Sequence, residues 1–138
     1  MLEQPVIQMR GFRNVREGDK VTGFQVAVRL PYYRGVWLPQ LRPATVTVDG
    51  VAYQGAEVTW TIAGRTYEQS ALADHAEVSW SNMEPAVLTV RKAGGLAPGF
   101  HDVQVAYVWS TSYLPPRMDL MSSGMSRTPP SRRMVLVR

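Results

Sequence analysis

Two histidines and a scatter of carboxylates are all that this sequence offers for acid–base or metal chemistry. His75 and His101 lie far apart in the chain, and neither shows a second histidine or a carboxylate at ligand spacing on one strand face. Asp102 follows His101 directly, but adjacent residues of a strand point to opposite faces and do not share a metal ion. Glu57, Glu68, Glu77 and Glu84 stand singly, as charged residues do at solvated strand ends. No cysteine is present, which excludes a thiolate nucleophile, a disulfide framework and cysteine-based zinc or iron–sulfur sites. A nucleophile elbow and a phosphate loop are absent, and Gly94, Gly95 and Gly99 lack the strand-turn-helix setting of a dinucleotide fingerprint. The expectation is a chain with no catalytic residue, metal site or cofactor of its own.

Recognition of another surface has better support. The stretch from Pro31 to Pro39 sets Tyr32, Tyr33, Arg34 and Trp37 between two prolines. Tyr, Trp and Arg are the side chains most enriched at interface hot spots. Within it, Arg34 is the best candidate for a cation that becomes desolvated and paired. A second stretch, 114–133, holds four prolines, four arginines, five Ser or Thr, and Met118, Met121 and Met125. A connection of that length inside a small domain is usually functional or disordered. The methionines favour function, because adaptable apolar side chains suit a surface that moulds to a partner.

Charge points the same way. Fifteen cations against eleven anions give a net charge of +4, and thirteen of the fifteen are arginine, with Lys20 and Lys92 the exceptions. Arginine is favoured where a planar, weakly hydrated cation is paired or covered. The isoelectric point near 9.8 raises nucleic acid as a partner. The arginines are spread singly, however, with Arg132-Arg133 the one adjacent pair, and no RNA- or DNA-binding motif appears. No nucleic-acid partner is expected. The start of the chain lacks the basic and apolar segments of a secretory signal, and no stretch reaches the roughly 20 apolar residues of a membrane span. A cytoplasmic protein without a membrane partner is the corresponding expectation.

The elements that must carry these segments read as strands. At 138 residues, residues 1–138 form one domain, since two cores would each be too small to offset chain entropy. Apolar residues alternate with period two, broken by Gly, Pro or Asp every 8 to 14 residues, the rhythm of an all-β, antiparallel sandwich of immunoglobulin-like type. Phe24, Val26, Val28 and Leu30 share one face of a strand that stops at Pro31. Asp49-Gly50, between Thr45–Val48 and Val51–Tyr53, predicts a two-residue turn with positive φ at both positions. Strands are also predicted over Val58–Ile62, Val78–Trp80, Val87–Val90, His101–Ser110 and Met134–Val137, with a short helix around Gln69–His75. Trp60, Trp80 and Trp109 fall on apolar faces and belong to the core, whereas Trp37 does not. One long irregular loop, 114–133, lies near the C-terminus.

At this level the residues become recognisable. Gly11-Phe12-Arg13-Asn14-Val15-Arg16, Arg29-Leu30-Pro31-Tyr32-Tyr33-Arg34-Gly35-Val36-Trp37-Leu38 and Val46-Thr47-Val48-Asp49-Gly50 resemble the small β subunit of bacterial C-glycoside deglycosidases. Gly64-Arg65-Thr66-Tyr67, Gly94 through His101 and Ser112-Tyr113-Leu114-Pro115-Pro116 carry the likeness further; from Met118 to Ser131 nothing matches. The resemblance implies a two-component carbon–carbon lyase that acts on sugars already oxidised at the 3-position. The keto group acidifies the C2 proton, and elimination expels the aromatic aglycone, for example from flavonoid C-glycosides. It also implies a TIM-barrel catalytic α subunit that holds the divalent metal, Mn or Mg, and most of the 3-keto C-glycoside contacts. The present chain is then the non-catalytic partner in a hetero-oligomer. Its expected interface or pocket rim comprises Tyr32, Tyr33, Arg34, Trp37, Tyr113, Met118 and Met121. The competing expectation is a free-standing immunoglobulin-like module that binds carbohydrate or protein.

Overall fold

Period-two patterning dictates strands, and strands dominate the computed structural model, which describes residues 6–32, 34–110, 120–122 and 130–137. They are β1 (Arg13–Glu17), β2 (Lys20–Val28), β3 (Val36–Trp37), β4 (Thr45–Val48), β5 (Val51–Tyr53), β6 (Val58–Ile62) and β7 (Arg65–Glu68), followed by β8 (Ser79–Trp80), β9 (Ala86–Arg91), β10 (Gly99–Ala106), β11 (Val108–Ser110), β12 (Leu120–Ser122) and β13 (Ser131–Leu136). A five-stranded sheet runs in the order β1-β2-β9-β6-β7 and a four-stranded sheet in the order β13-β10-β4-β5. Two-stranded ribbons, β11-β12 and β3-β8, complete the set, and every strand pair described is antiparallel. The architecture is an all-β sandwich.

The inner faces are those that the alternation predicts. Phe24, Val26 and Val28 from β2, Leu88 and Val90 from β9, and Val58, Trp60 and Ile62 from β6 join Val46, Val48, Val103, Val105, Met134 and Leu136 of the other sheet in one buried cluster. Each fully buried side chain of this size contributes about 1.5–3 kcal/mol through removal of apolar surface from water. Val48 pairs with Val51, and Asp49 and Gly50 between them have φ of 49° and 85°, the expected turn. Trp60, Trp80 and Trp109 are buried with Tyr107 among them, at centroid separations of 5.4 Å from Trp60, 5.8 Å from Trp80 and 6.0 Å from Trp109. Burial pushes the Tyr107 phenol far above its usual value, and its hydroxyl donates to the Arg29 carbonyl at 2.5 Å.

Gln69 is the polar hub of this interior. Its side chain accepts from Trp60 Nε1 at 2.9 Å and from the Ala44 amide at 2.6 Å, and donates to the Ala44 carbonyl at 3.0 Å and the Gly55 carbonyl at 3.2 Å. One amide side chain thereby satisfies polar groups that would otherwise be orphaned in an apolar core.

Two expectations change and a third takes a more specific form. The stretch His101–Ser110 is two strands: β10 ends at Ala106 in the four-stranded sheet, and β11 begins at Val108 and pairs with β12. Val103, Val105, Tyr107 and Trp109 are all buried, so the alternation runs on through the point where the chain changes partners. The short helix expected around Gln69–His75 is present as a 3₁₀ segment, Gln69–Asp74. Its two buried residues, Gln69 and Leu72, are three apart, the spacing that a three-residue turn stacks on one side. Finally, 114–133 is not one uninterrupted loop, because it contains β12 and the first residues of β13.

Candidate functional site

The segment between Pro31 and Leu41 lies on the surface, yet it is pinned from both flanks. β3 pairs with β8, Val36 opposite Trp80 and Trp37 opposite Ser79. Alternation buries Val36 and turns Trp37 outward, where it is 53% exposed. A 3₁₀ turn over Leu38–Gln40 follows at once, with Pro39 at its second position and the Leu41 amide on the Leu38 carbonyl closing it. The Trp37 amide donates to Gln40 Oε1 at 2.7 Å, and Gln40 Nε2 donates to the Ser110 carbonyl on β11 at 2.8 Å. On the other flank, Asn82 Nδ2 donates to the Tyr32 carbonyl at 3.0 Å and the Leu38 amide to the Val78 carbonyl at 2.9 Å. Gly35 permits the close approach to β8, since a Cβ there would stand 2.8 Å from the Trp80 carbonyl oxygen.

The other predicted residues take different places. Tyr32 is half-buried, its ring 5.6 Å from that of Trp109, and the exposed Arg34 holds its guanidinium 5.8 Å from the Tyr32 ring centroid. Stacking of this kind draws the cation to the negative face of the ring. Arg42 Nη1 donates to the Pro39 carbonyl at 2.9 Å, which fastens the turn that carries Trp37. Met121 lies on β12 opposite Trp109. Tyr33, Tyr113 and Met118 lie outside the described residues. Thus Tyr32, Arg34 and Trp37 share one braced segment, while the register of β12 places Met121 beside β11, to which Gln40 ties that segment. Sequence reasoning missed Gln40, Arg42 and Asn82, which hold the segment, because their partners are backbone groups that no local pattern reveals.

The histidines prove to be engaged. His75 Nδ1 lies 3.4 Å from Glu77 Oε1, a carboxylate two residues on that the spacing argument overlooked. His101 Nδ1 lies 2.6 Å from Asp49 Oδ2 and Nε2 lies 2.6 Å from the Ala97 carbonyl. Burial opposes charge on His101, but the Ala97 carbonyl and the Asp49 carboxylate outweigh it and raise its pKa above the ordinary 6.5. Asp49 is held below the ordinary carboxylate value by the Asp102 amide first and by His101 next. Among the described residues no group of three His, Cys, Asp or Glu converges to hold a metal ion, and neither histidine pair supplies more than two donors. No described helix is long and apolar enough to cross a membrane.

Outside the predicted segment, Phe100 on β10 is exposed opposite Val135 on β13, with Arg133 stacked 5.2 Å from the Phe100 ring. Its signal in the sequence is an apolar residue on the outward phase of a strand whose inward phase is Val103 and Val105.

A family model described as C-glycoside deglycosidase beta subunit matches residues 2–113. The chain is 45% identical over 116 residues to a C-glycoside deglycosidase beta subunit of Eubacterium cellulosolvens, covering 83% of this chain and 79% of the relative. Two C-glycoside deglycosidase beta subunits of Arthrobacter globiformis are also similar. One is 36% identical over 64 residues (46% of this chain and 49% of the relative), the other 33% over 58 residues (42% and 44%).

Proposed function

Because the chain belongs to the C-glycoside deglycosidase beta subunit family, we propose that it is the non-catalytic subunit of a carbon–carbon lyase and that the braced Tyr32–Gln40 segment seats it on a larger catalytic subunit. The reaction in this reading is an elimination on a 3-keto C-glycoside, a flavonoid C-glycoside among them. A base removes the C2 proton made acidic by the adjacent ketone, the bond from C1 to the aglycone breaks, and its electron pair leaves with the aglycone, which takes up a proton. Base and metal belong to the partner, a TIM-barrel α subunit with Mn or Mg. The described residues of this chain offer at most pairs of donors and do not fit a divalent metal, so no step of the chemistry is assigned to them. The complex works in the cytoplasm.

One observation carries the docking role: Trp37 is exposed on backbone that is fixed on both flanks. A large side chain carried on backbone that is already ordered spares the cost of fixing that backbone on association, a condition that favours aromatic anchors in binding. The test is co-expression with the catalytic subunit. Trp37→Ala and Arg34→Ala should fold normally, fail to co-purify, and abolish turnover of a 3-keto C-glycoside. Normal co-purification and normal turnover by both variants would refute the docking role. A free-standing binding module would instead purify alone as a soluble monomer and keep its ligand without any second subunit.

A further inference from the structure

The surroundings of His101 contain acceptors on both sides of the ring. Nδ1 faces the Asp49 carboxylate in the turn between β4 and β5, and Nε2 faces the Ala97 carbonyl in the corner that leads into β10, each at 2.6 Å. The His101 side chain is 11% exposed and that of Asp49 50%, so the ring is largely shielded while its carboxylate partner keeps contact with solvent. A neutral imidazole has one N–H and one lone pair, and here either tautomer would point that lone pair at an oxygen. The doubly protonated ring alone satisfies both contacts. We propose that His101 is a proton-dependent clamp: as imidazolium it joins the β4–β5 turn to the corner 96–99, and loss of one ring proton opens that junction.

The rest of the neighbourhood supports the charged form. Asp49 is bound twice more to β10, its amide donating to the Asp102 carbonyl at 2.9 Å and its Oδ1 accepting from the Asp102 amide at 2.9 Å. That fixes the carboxylate in front of the ring. From β13, Arg133 stands opposite Asp102 and its charge favours ionised Asp49. Met134, opposite His101, and Phe12, whose ring meets the imidazole edge-on at 6.2 Å, carry no charge, and neither does any side chain from Leu96 to Gly99. The corner has a second tie that protons do not govern. Asn14 accepts from the Leu96 amide and donates to the Leu96 carbonyl, both at 2.9 Å. Opening therefore frees the corner at Ala97, next to the exposed Phe100, while Leu96 stays in place.

The sign of the pH dependence follows. A raised folded-state pKa means that the clamp contributes fully below about 6.5, the ordinary histidine value, and is lost as pH rises through the folded value. Lowered Asp49 keeps its charge through that range and sets the acid limit, below its ordinary 3.8.

The experiment is nitrogen-resolved NMR of the full chain together with thermal unfolding across pH. The His101 midpoint should lie above the ordinary 6.5, with both ring nitrogens protonated below it, and Asp49→Asn should move that midpoint to lower pH. The stability advantage of the natural chain over His101→Gln should be constant from the Asp49 acid limit up to about pH 6.5 and shrink above it. A His101 midpoint at or below the ordinary 6.5, or an advantage over His101→Gln that does not change with pH, overturns the proposal. Should Asp49→Asn fail to fold, the His101 midpoint and the His101→Gln profile decide alone. None of these readouts depends on a second subunit, so their failure leaves the docking role untouched.

Discussion

Trp60 and Trp37 are the same residue type in opposite service. Trp60 sits at 0% exposure, edge-on to Trp80 at 5.5 Å, with its indole N–H on Gln69. Trp37 shows half its surface to solvent, and what is bonded there is the backbone beneath it. Around Trp60 the Gln69 side chain satisfies the polar atom of a buried aromatic. In the Tyr32–Gln40 segment polar side chains hold the chain so that an aromatic stays outside. Fold and docking are thereby separated, and substitutions on the two sides should have different signatures.

The largest loss of stability is expected from Trp60→Ala, about 3–5 kcal/mol in chemical denaturation, because transfer and cavity terms add in a core that relaxes little. Gln69→Leu comes next, at about 2–3 kcal/mol, because it keeps the volume but leaves the Trp60 indole and both Ala44 backbone groups buried and unpaired. Gln40→Ala should cost about 1 kcal/mol by removing the link from the Trp37 amide to the Ser110 carbonyl, and should also weaken association, since the anchor must then be ordered on binding. Trp37→Ala should change the unfolding free energy by no more than about 0.5 kcal/mol. If Gln40→Ala alters stability but not association, bracing belongs to the fold alone and the separation is lost.

How much of this was legible depends on the range of each interaction. The Asp49-Gly50 turn is written locally, because few other residues accept positive φ twice in succession. Burial of Val103, Val105, Tyr107 and Trp109 is equally local in its alternation, but the switch of sheets after Ala106 is not, since the inward phase never breaks. The outward position of Trp37 could be anticipated from its prolines and its tyrosine and arginine neighbours. The means of holding it could not: Gln40 and Ser110 are 70 residues apart, and Asn82 and Tyr32 are 50 apart. His101 and Asp49, separated by 52, are brought together by the pairing of β10 with β4, a contact invisible to any search for ligand spacing along one strand. Only the fold creates such pairs.

The most direct test of the docking role is the pairing of two readings on one variant, Trp37→Ala, made beside the natural chain. Unfolding of the isolated or co-expressed chain reports the fold, and co-purification with the catalytic subunit reports the surface. A denaturation midpoint unchanged within about 0.5 kcal/mol, together with at least a roughly thirtyfold loss of partner affinity, is the predicted result for an anchor at the centre of an interface. Undiminished partner affinity in a folded Trp37→Ala chain would contradict it.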